Sequence, residues 1–248
     1  MNRLNIDQSP IAAVNVSKSF AYNGHSATVI NNISLSVRKG ELLLLLGPSG
    51  SGKTTLLTIM AGLLPPSDGA IYLFGKNIME YLPKELQKLR AGRIGFIFQT
   101  FHLIDAYPAV DNIALSGRFA GMSSQSAAQK AGEILRRLKI EYLADKLPFN
   151  LSQGEKQRVA VARAFINKPD IILADEPTAS LESCQGIDVI RLLHEYTRLE
   201  NKSVVVVSHD RRICGYADRI LCLQDGILGE TDAADNLKSE NIRNRQVI

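Results

Sequence analysis

Gly47-Pro48-Ser49-Gly50-Ser51-Gly52-Lys53-Thr54 is the stretch from which the rest of the chain is read. A glycine, four residues, a second glycine, a lysine and a hydroxyl residue have the spacing of a phosphate-binding loop. Leu42 to Leu46 comes directly before it and reads as a strand buried on both faces. Thr55 to Ala61 follows it with the spacing and propensity of a helix. Glycines let the backbone close around phosphates, so that several N–H groups point inward at the positive end of a helix. Lys53 then reaches the β and γ phosphates of a nucleotide, and the Thr54 hydroxyl becomes a ligand for Mg²⁺. A glycine-rich turn carrying a solvated lysine would lack both flanking elements.

With 248 residues, 45% of them hydrophobic and 22% charged, the chain has room for one large domain with a subdomain around a substantial core. A net charge of +4 is mild. It fits a nucleotide or a nearby anionic membrane surface, and no basic stripe with interleaved aromatics points to nucleic acid. Cys184, Cys214 and Cys222 are odd in number and share no metal-ligand spacing, as expected of reduced thiols in a reducing compartment. Met1 to Asp7 lacks the apolar core of a signal peptide, and no run approaches the ~18 apolar residues of a membrane span. The expectation is a cytoplasmic chain that meets a membrane only through a partner.

Taken in order, Ile11 to Phe20 reads as a strand, Ala21 to Ser26 as a turn-rich break, and Asn32 to Val37 as a second, alternating strand. Pro65-Pro66-Ser67-Asp68-Gly69 stops the helix after the glycine loop, and Ala70 to Phe74 is a short strand. A charged helix between Leu82 and Arg93 leads into the strand Ile94 to Phe98 and then Gln99. From Thr100 to about Ala164 the periodicity is mostly helical, clearest over Ser126 to Leu138 with Ile134, Leu135 and Leu138 on one face. The back half alternates: strand Ile171 to Ala174, helix Gly186 to Glu200, strand Val204 to Val207, a helix near Arg211 to Ala217, and strand Ile220 to Leu223. Residues beyond about Glu230 read as a polar tail.

Ile171-Ile172-Leu173-Ala174 ends in Asp175-Glu176. Ligands of open α/β sheets sit at the carboxyl ends of strands, which turns both acids toward the phosphates. Asp175 is expected to hold Mg²⁺ through water, and Glu176 to polarise an attacking water as general base.

Further on, Leu151-Ser152-Gln153-Gly154-Glu155 is followed by Lys156-Gln157-Arg158-Val159-Ala160. With these motifs in this order, the chain resembles the nucleotide-binding subunit of an ABC transporter from about Val14 to Gly226. The resemblance implies an α/β fold: a P-loop NTPase (RecA-like) core with an antiparallel β subdomain and an inserted α-helical subdomain. The core falls at about 11–99 and 165–228, the helical part at about 100–164, and a polar tail at 229–248.

The same resemblance assigns roles. Gly47, Pro48, Ser49, Gly50, Ser51, Gly52, Lys53, Thr54 and Thr55 hold the phosphates of ATP. Residues 151–155 match the signature motif, usually Leu-Ser-Gly-Gly-Gln, so Ser152, Gln153, Gly154 and Glu155 bind the γ-phosphate of an ATP held by a second copy. Gln99 matches the glutamine that senses Mg²⁺ and the attacking water, and His209 the histidine that contacts the γ-phosphate. Ala179-Ser180-Leu181-Glu182 matches the loop that crosses the dimer interface. Phe20 or Tyr22 stacks on adenine, Phe20 being favoured because it closes the first strand. Three departures stand out: Gln153 for a glycine, Glu155 for a glutamine, and Glu182 for an aspartate. Lys53, Glu176 and His209 are all kept, so turnover is expected to survive.

In the family a groove receives a short helix of the membrane permease, and Gln99 to Pro108, notably Thr100-Phe101-His102-Leu103-Ile104 and Tyr107-Pro108, falls at that position. Within the family, Gly47 to Leu57 and Ile94 to Gln99 look most like the lipoprotein-releasing and macrolide-exporting branch, and Asp111-Asn112-Ile113 fits there too. ATP and Mg²⁺ are the implied cofactors; a second copy and a permease are the implied partners, with the chain peripheral on the inner membrane face. A regulatory module of a cell-division complex, binding ATP without transporting, is the alternative reading.

Overall fold

A computed structural model describes residues 6–22, 25–179, 181 and 183–229, with the backbone alone for residues 22 and 183–185. Its elements in chain order begin with strands β1 (Ile11–Tyr22), β2 (His25–Val37) and β3 (Leu42–Leu46), then helix α1 (Lys53–Met60). Strands β4 (Asp68–Leu73) and β5 (Lys76–Asn77), helix α2 (Pro83–Arg93) and strand β6 (Ile94–Ile97) follow. Next come α3 (Ala109–Phe119), α4 (Ser124–Arg137), α5 (Gln153–Phe165), β7 (Ile171–Asp175) and α6 (Ser183–Glu200). The series closes with β8 (Ser203–Ser208), β9 (Arg219–Gln224) and β10 (Ile227–Gly229). The chain divides into two compact units, Met1–Leu82 with Arg191–Ile248, and Pro83–Ile190.

In the first unit β3 runs parallel to β8 and to β9, with Leu46 opposite Ser208 and Cys222. Every residue of β3 and β8 is buried. A strand covered on both faces has no reason to alternate, hence the unbroken runs of leucine and valine. Each leucine so buried stabilises the fold by about 1.5–3 kcal/mol relative to exposure. Side chains fix the start of β3: Asp218 accepts from the Leu42 N–H at 2.8 Å, and Glu41 pairs with Arg219 at 2.9 Å. Burial pushes the Glu41 carboxyl up, against the Arg38 N–H and the Arg219 charge.

The same unit holds an antiparallel sheet in the order β2-β1-β4-β5. Here the structure departs from the sequence reading. In the expected break, Ala21 pairs with Ser26 and Tyr22 with His25, so that β1 runs on to Tyr22 and β2 starts at His25 rather than Asn32. The outer part of β2, His25 to Thr28, is exposed on both faces and carries no alternation for a pattern to show. Arg211–Tyr216 is a 3₁₀ segment, not an α-helix, capped by Asp210, whose carboxylate accepts from the Arg212 N–H at 2.9 Å. Asp225 and Gly226, both at positive φ, turn β9 back into β10, a strand the sequence reading did not include. Neither Cys214 nor Cys222 is in a disulfide, and burial pushes the Cys214 thiol up. Cys184 lies outside the described side chains.

In the second unit β6 and β7 pair in parallel, Ile97 opposite Ala174. Helices α3, α4 and α5 enclose an apolar cluster that includes Ile113, Leu135, Val159 and Ile166. On α4 the buried stripe is Ala127, Ala131 and Leu135, with Ile134 and Leu138 only partly covered beside it. Leu135 is thus the one residue shared with the predicted face. Among the described residues no helix is long and apolar enough to cross a membrane.

Candidate functional site

The glycine loop begins where β3 ends. Gly47 N–H donates to Ser208 O at 3.3 Å, so the loop leaves the strand beside the end of β8, one residue before His209. A Cβ on Gly47 would lie 2.2 Å from the Leu223 carbonyl oxygen, which leaves no room for any side chain. Gly50 and Gly52 adopt φ of 82° and 98°, and Gly52 also abuts the Val29 carbonyl. These angles suit glycine and strain other residues. The loop therefore bends tightly with its backbone bare, and Gly52 caps α1 without a side chain. No acid stands in the first turn of α1, so its positive end is not already neutralised.

Two side chains of the loop carry the strongest signal. Ser51 is 4% exposed, and its hydroxyl has no hydrogen-bond partner. A buried polar atom left unsatisfied is costly and calls for a partner, a ligand or an ordered water. Lys53 is buried too, with its ammonium on the carbonyls of Gly47 at 2.8 Å and Pro48 at 2.9 Å. Thr54 and Thr55 follow on α1, and Pro48, Ser49 and Gly50 form the outer turn. His209 is exposed. Beside it, burial pushes the Asp210 carboxyl up, but the Arg212 guanidinium and N–H, with His209 nearby, hold it below the usual carboxylate range. Phe20, 42% exposed, pairs with Ala27 on the β1–β2 hairpin and has the Lys18 ammonium 5.2 Å from its ring. The Tyr22 side chain lies outside the described atoms.

In the second unit the acids stand at the carboxyl end of β7, Asp175 and Glu176 both buried. Glu176 has φ 44°, a left-handed conformation that a glutamate adopts at a cost of about 1–3 kcal/mol, typical of functional sites. Its carbonyl accepts from the Ala179 N–H at 3.1 Å. Exposed Gln99 follows β6, and the register of β6 on β7 brings it to the same end of the strand pair as the two acids.

Ser152 is the N-cap of α5, and Glu155 closes a capping box with it. The Ser152 hydroxyl accepts from the Glu155 N–H at 3.2 Å, and the Glu155 carboxylate accepts from the Ser152 N–H at 2.8 Å. That N–H holds the Glu155 carboxyl below its usual range, and Lys146, 3.5 Å away, adds to the effect. Gln153 is exposed and Gly154 half-buried at the helix start. Ser180 and Glu182 of the expected interface loop lie outside the described residues.

Sequence reasoning overlooked three features. The serine, two residues and glutamate of 152–155 are a capping-box pattern, legible in the sequence although Glu155 was read only as a departure. Arg163 and Asn112, which fix the loop after Gln99, gave no signal of that role: their partners there are backbone groups.

A family model described as ABC transporter matches residues 30–179. HrtA of Staphylococcus haemolyticus, a protein named for hemin-import ATP binding, is 40% identical over 85% of this chain and 95% of its own length. The macrolide export ATP-binding/permease protein MacB of Campylobacter fetus is 37% identical over 94% of this chain. The match covers 35% of MacB, so the chain spans about a third of that relative. Among solved structures, the dimeric post-hydrolysis state of the ATP-binding cassette MJ0796 with ADP and Pi has 36% identity and a TM-score of 0.83, over 89% of this chain and 98% of that one. Clostridium perfringens cbiO1, part of the transporter complex cbiONQ, has 26% identity and a TM-score of 0.80, over 97% of this chain and 94% of that one.

Proposed function

The chain belongs to the ABC transporter family, and from that premise we propose that it binds and hydrolyses ATP as the motor of a membrane permease. The observation that carries the proposal is the glycine loop at the open end of α1, with the bare Ser51 hydroxyl and the buried Lys53 ammonium. Its backbone N–H groups, Ser51 and Lys53 bind the β and γ phosphates, and Phe20 stacks on the adenine. Thr54, Gln99 and Asp175 offer a hydroxyl, an amide oxygen and a carboxylate, oxygen donors that suit a hard cation. When bound, Mg²⁺ supplies charge neutralisation between the phosphates.

Glu176 orients the attacking water and accepts its proton, while Gln99 and His209 fix that water and the γ-phosphate. Catalysis of this kind rests on positioning and on electrostatic stabilisation of the transferred group. One copy leaves the γ-phosphate open on one side. A second copy, related by two-fold symmetry, presents its Ser152 and Gly154 there, and each ATP is shared by two chains. Ser152 suits this role because it is exposed at the N-terminus of α5, where the helix dipole also favours an anion.

Binding of ATP closes the dimer and hydrolysis releases it. That motion reaches a permease docked on Gln99 to Pro108, with the chain peripheral on the cytoplasmic face. Likeness to both MacB and HrtA fits a cargo and direction set by the permease; the lipoprotein-releasing and macrolide-exporting branch is the one we propose, on Gly47 to Leu57 and Ile94 to Gln99.

The test is affinity purification of the tagged chain from gently solubilised native membranes. An integral membrane protein is expected in stoichiometric amount. Recovery only from the soluble fraction, with a ribosomal or nucleic-acid partner, contradicts the transporter reading.

A further inference from the structure

The segment after Gln99 has a fixed form. Phe101 and His102 sit side by side at φ 61° and 48°, a conformation that non-glycine residues hold only when their surroundings impose it. The Phe101 N–H donates to Phe98 O at 3.2 Å and the His102 N–H to Thr100 O at 2.6 Å. The His102 ring lies 4.5 Å from that of Phe98, which stacks 4.2 Å from Phe96. One guanidinium binds both strained carbonyls: Arg163 of α5 donates to Phe101 O at 2.5 Å and to His102 O.

The far end of the segment is held separately. Asn112 of α3, 2% exposed, accepts from the Ile104 N–H at 2.7 Å and donates to Ile104 O at 3.1 Å and Tyr107 O at 2.7 Å. Ile104 and Tyr107, held by their backbones at this far anchor, keep 41% and 44% of their surface exposed. The loop is therefore a stiff platform with two apolar side chains outward. Its near end is bolted to the helix whose N-terminus is Ser152–Glu155.

We propose that Arg163 is the positioning residue that couples the partner-docking loop to the signature end of α5. This rests on the function proposed above, and deepens it by naming a path that does not pass through the Gln99 side chain. α5 is a rigid rod, and from Ser152 to Arg163 it spans roughly 16 Å. A partner helix pressing on Ile104 and Tyr107 shifts the Phe101 and His102 carbonyls, Arg163 follows, and the start of α5 moves against the ATP of the second copy. Closure on ATP runs the same path in reverse. Arginine suits the task because its planar fork binds two adjacent carbonyls in fixed directions, whereas a lysine ammonium is a single rotatable point. Burial pushes the Arg163 guanidinium down only to about 10, so it stays charged at neutral pH.

The experiment uses the complex of chain and membrane partner reconstituted in lipid nanodiscs, comparing wild type, Arg163→Lys and Arg163→Met. Three quantities are read: ATP affinity of the isolated chain, partner stoichiometry, and hydrolysis with and without the partner. Both variants are expected to keep ATP affinity, basal hydrolysis and stoichiometry within about twofold, and to lose the partner-dependent change in rate by roughly three- to thirtyfold. Arg163→Lys keeps the charge and helix propensity, and decides the matter should Arg163→Met fail to fold. Wild-type partner dependence in a folded Arg163→Lys complex overturns the coupling role alone. A wild-type complex whose hydrolysis ignores its partner overturns the functional reading and this proposal with it.

Discussion

Lys53→Ala is expected to weaken ATP binding by two to three powers of ten while leaving the chain folded. The Lys53 ammonium is buried against the carbonyls of Gly47 and Pro48, at the mouth of a loop whose other donors are fixed backbone N–H groups and the Ser51 hydroxyl. Bound phosphates take up this charge in a desolvated setting. Truncating one member of such a pair costs about 2–5 kcal/mol, and each 1.4 kcal/mol is tenfold in affinity. Alanine is a good helix former at the first position of α1, so the fold has little reason to fail. Titration calorimetry with ATP measures the loss, and a melting curve beside it separates binding from stability. Unchanged affinity contradicts the assignment of residues 47–55 as the phosphate site.

Glu176→Gln is the second large effect, and its sign differs between two measurements. The amide keeps the size of the side chain and one oxygen acceptor but cannot take a proton. Single-turnover hydrolysis is expected to fall by about 10²–10⁴, the range that general-base removal produces. ATP affinity is expected to hold, because Glu176 is not among the phosphate donors. A chain that binds ATP without cleaving it accumulates in the closed form. Light scattering with ATP and Mg²⁺ should therefore report a mass near twice the monomer's 27.2 kDa. A monomer under those conditions, or hydrolysis at the wild-type rate, contradicts the role given to Glu176.

What the sequence disclosed depended on whether a residue's role is local. Leu42 to Leu46 and Val204 to Val207 were legible because a strand buried on both faces must be apolar throughout. The glycine loop was legible because its bends require glycine and its lysine has a fixed offset. The outer half of β2 was hidden, since residues exposed on both faces obey no period and only the hairpin to β1 defines them. The helix read near Arg211 to Ala217 is there, but as a tighter 3₁₀ turn capped by Asp210. Arg163 was the least legible. Its partners are carbonyls 61 and 62 residues away, and a backbone acceptor leaves no trace in the identity of the residue that provides it. Glu155 shows the opposite error: its offset from Ser152 announced a helix cap, yet it drew notice only as a departure from a family pattern.

The decisive measurement is ATP hydrolysis by a mixture of two disabled chains, Lys53→Ala and Ser152→Asp. Aspartate keeps the N-cap of α5 but sets a negative charge where a γ-phosphate must arrive. Each chain alone should be nearly inactive. If each ATP is shared across a two-fold axis, a mixed dimer unites Lys53 of one chain with Ser152 of the other in one intact site. Random pairing then restores about a quarter of the wild-type rate, half the dimers carrying one good site of two. No recovery on mixing, at concentrations where the wild type dimerises, would mean that each chain completes its own site.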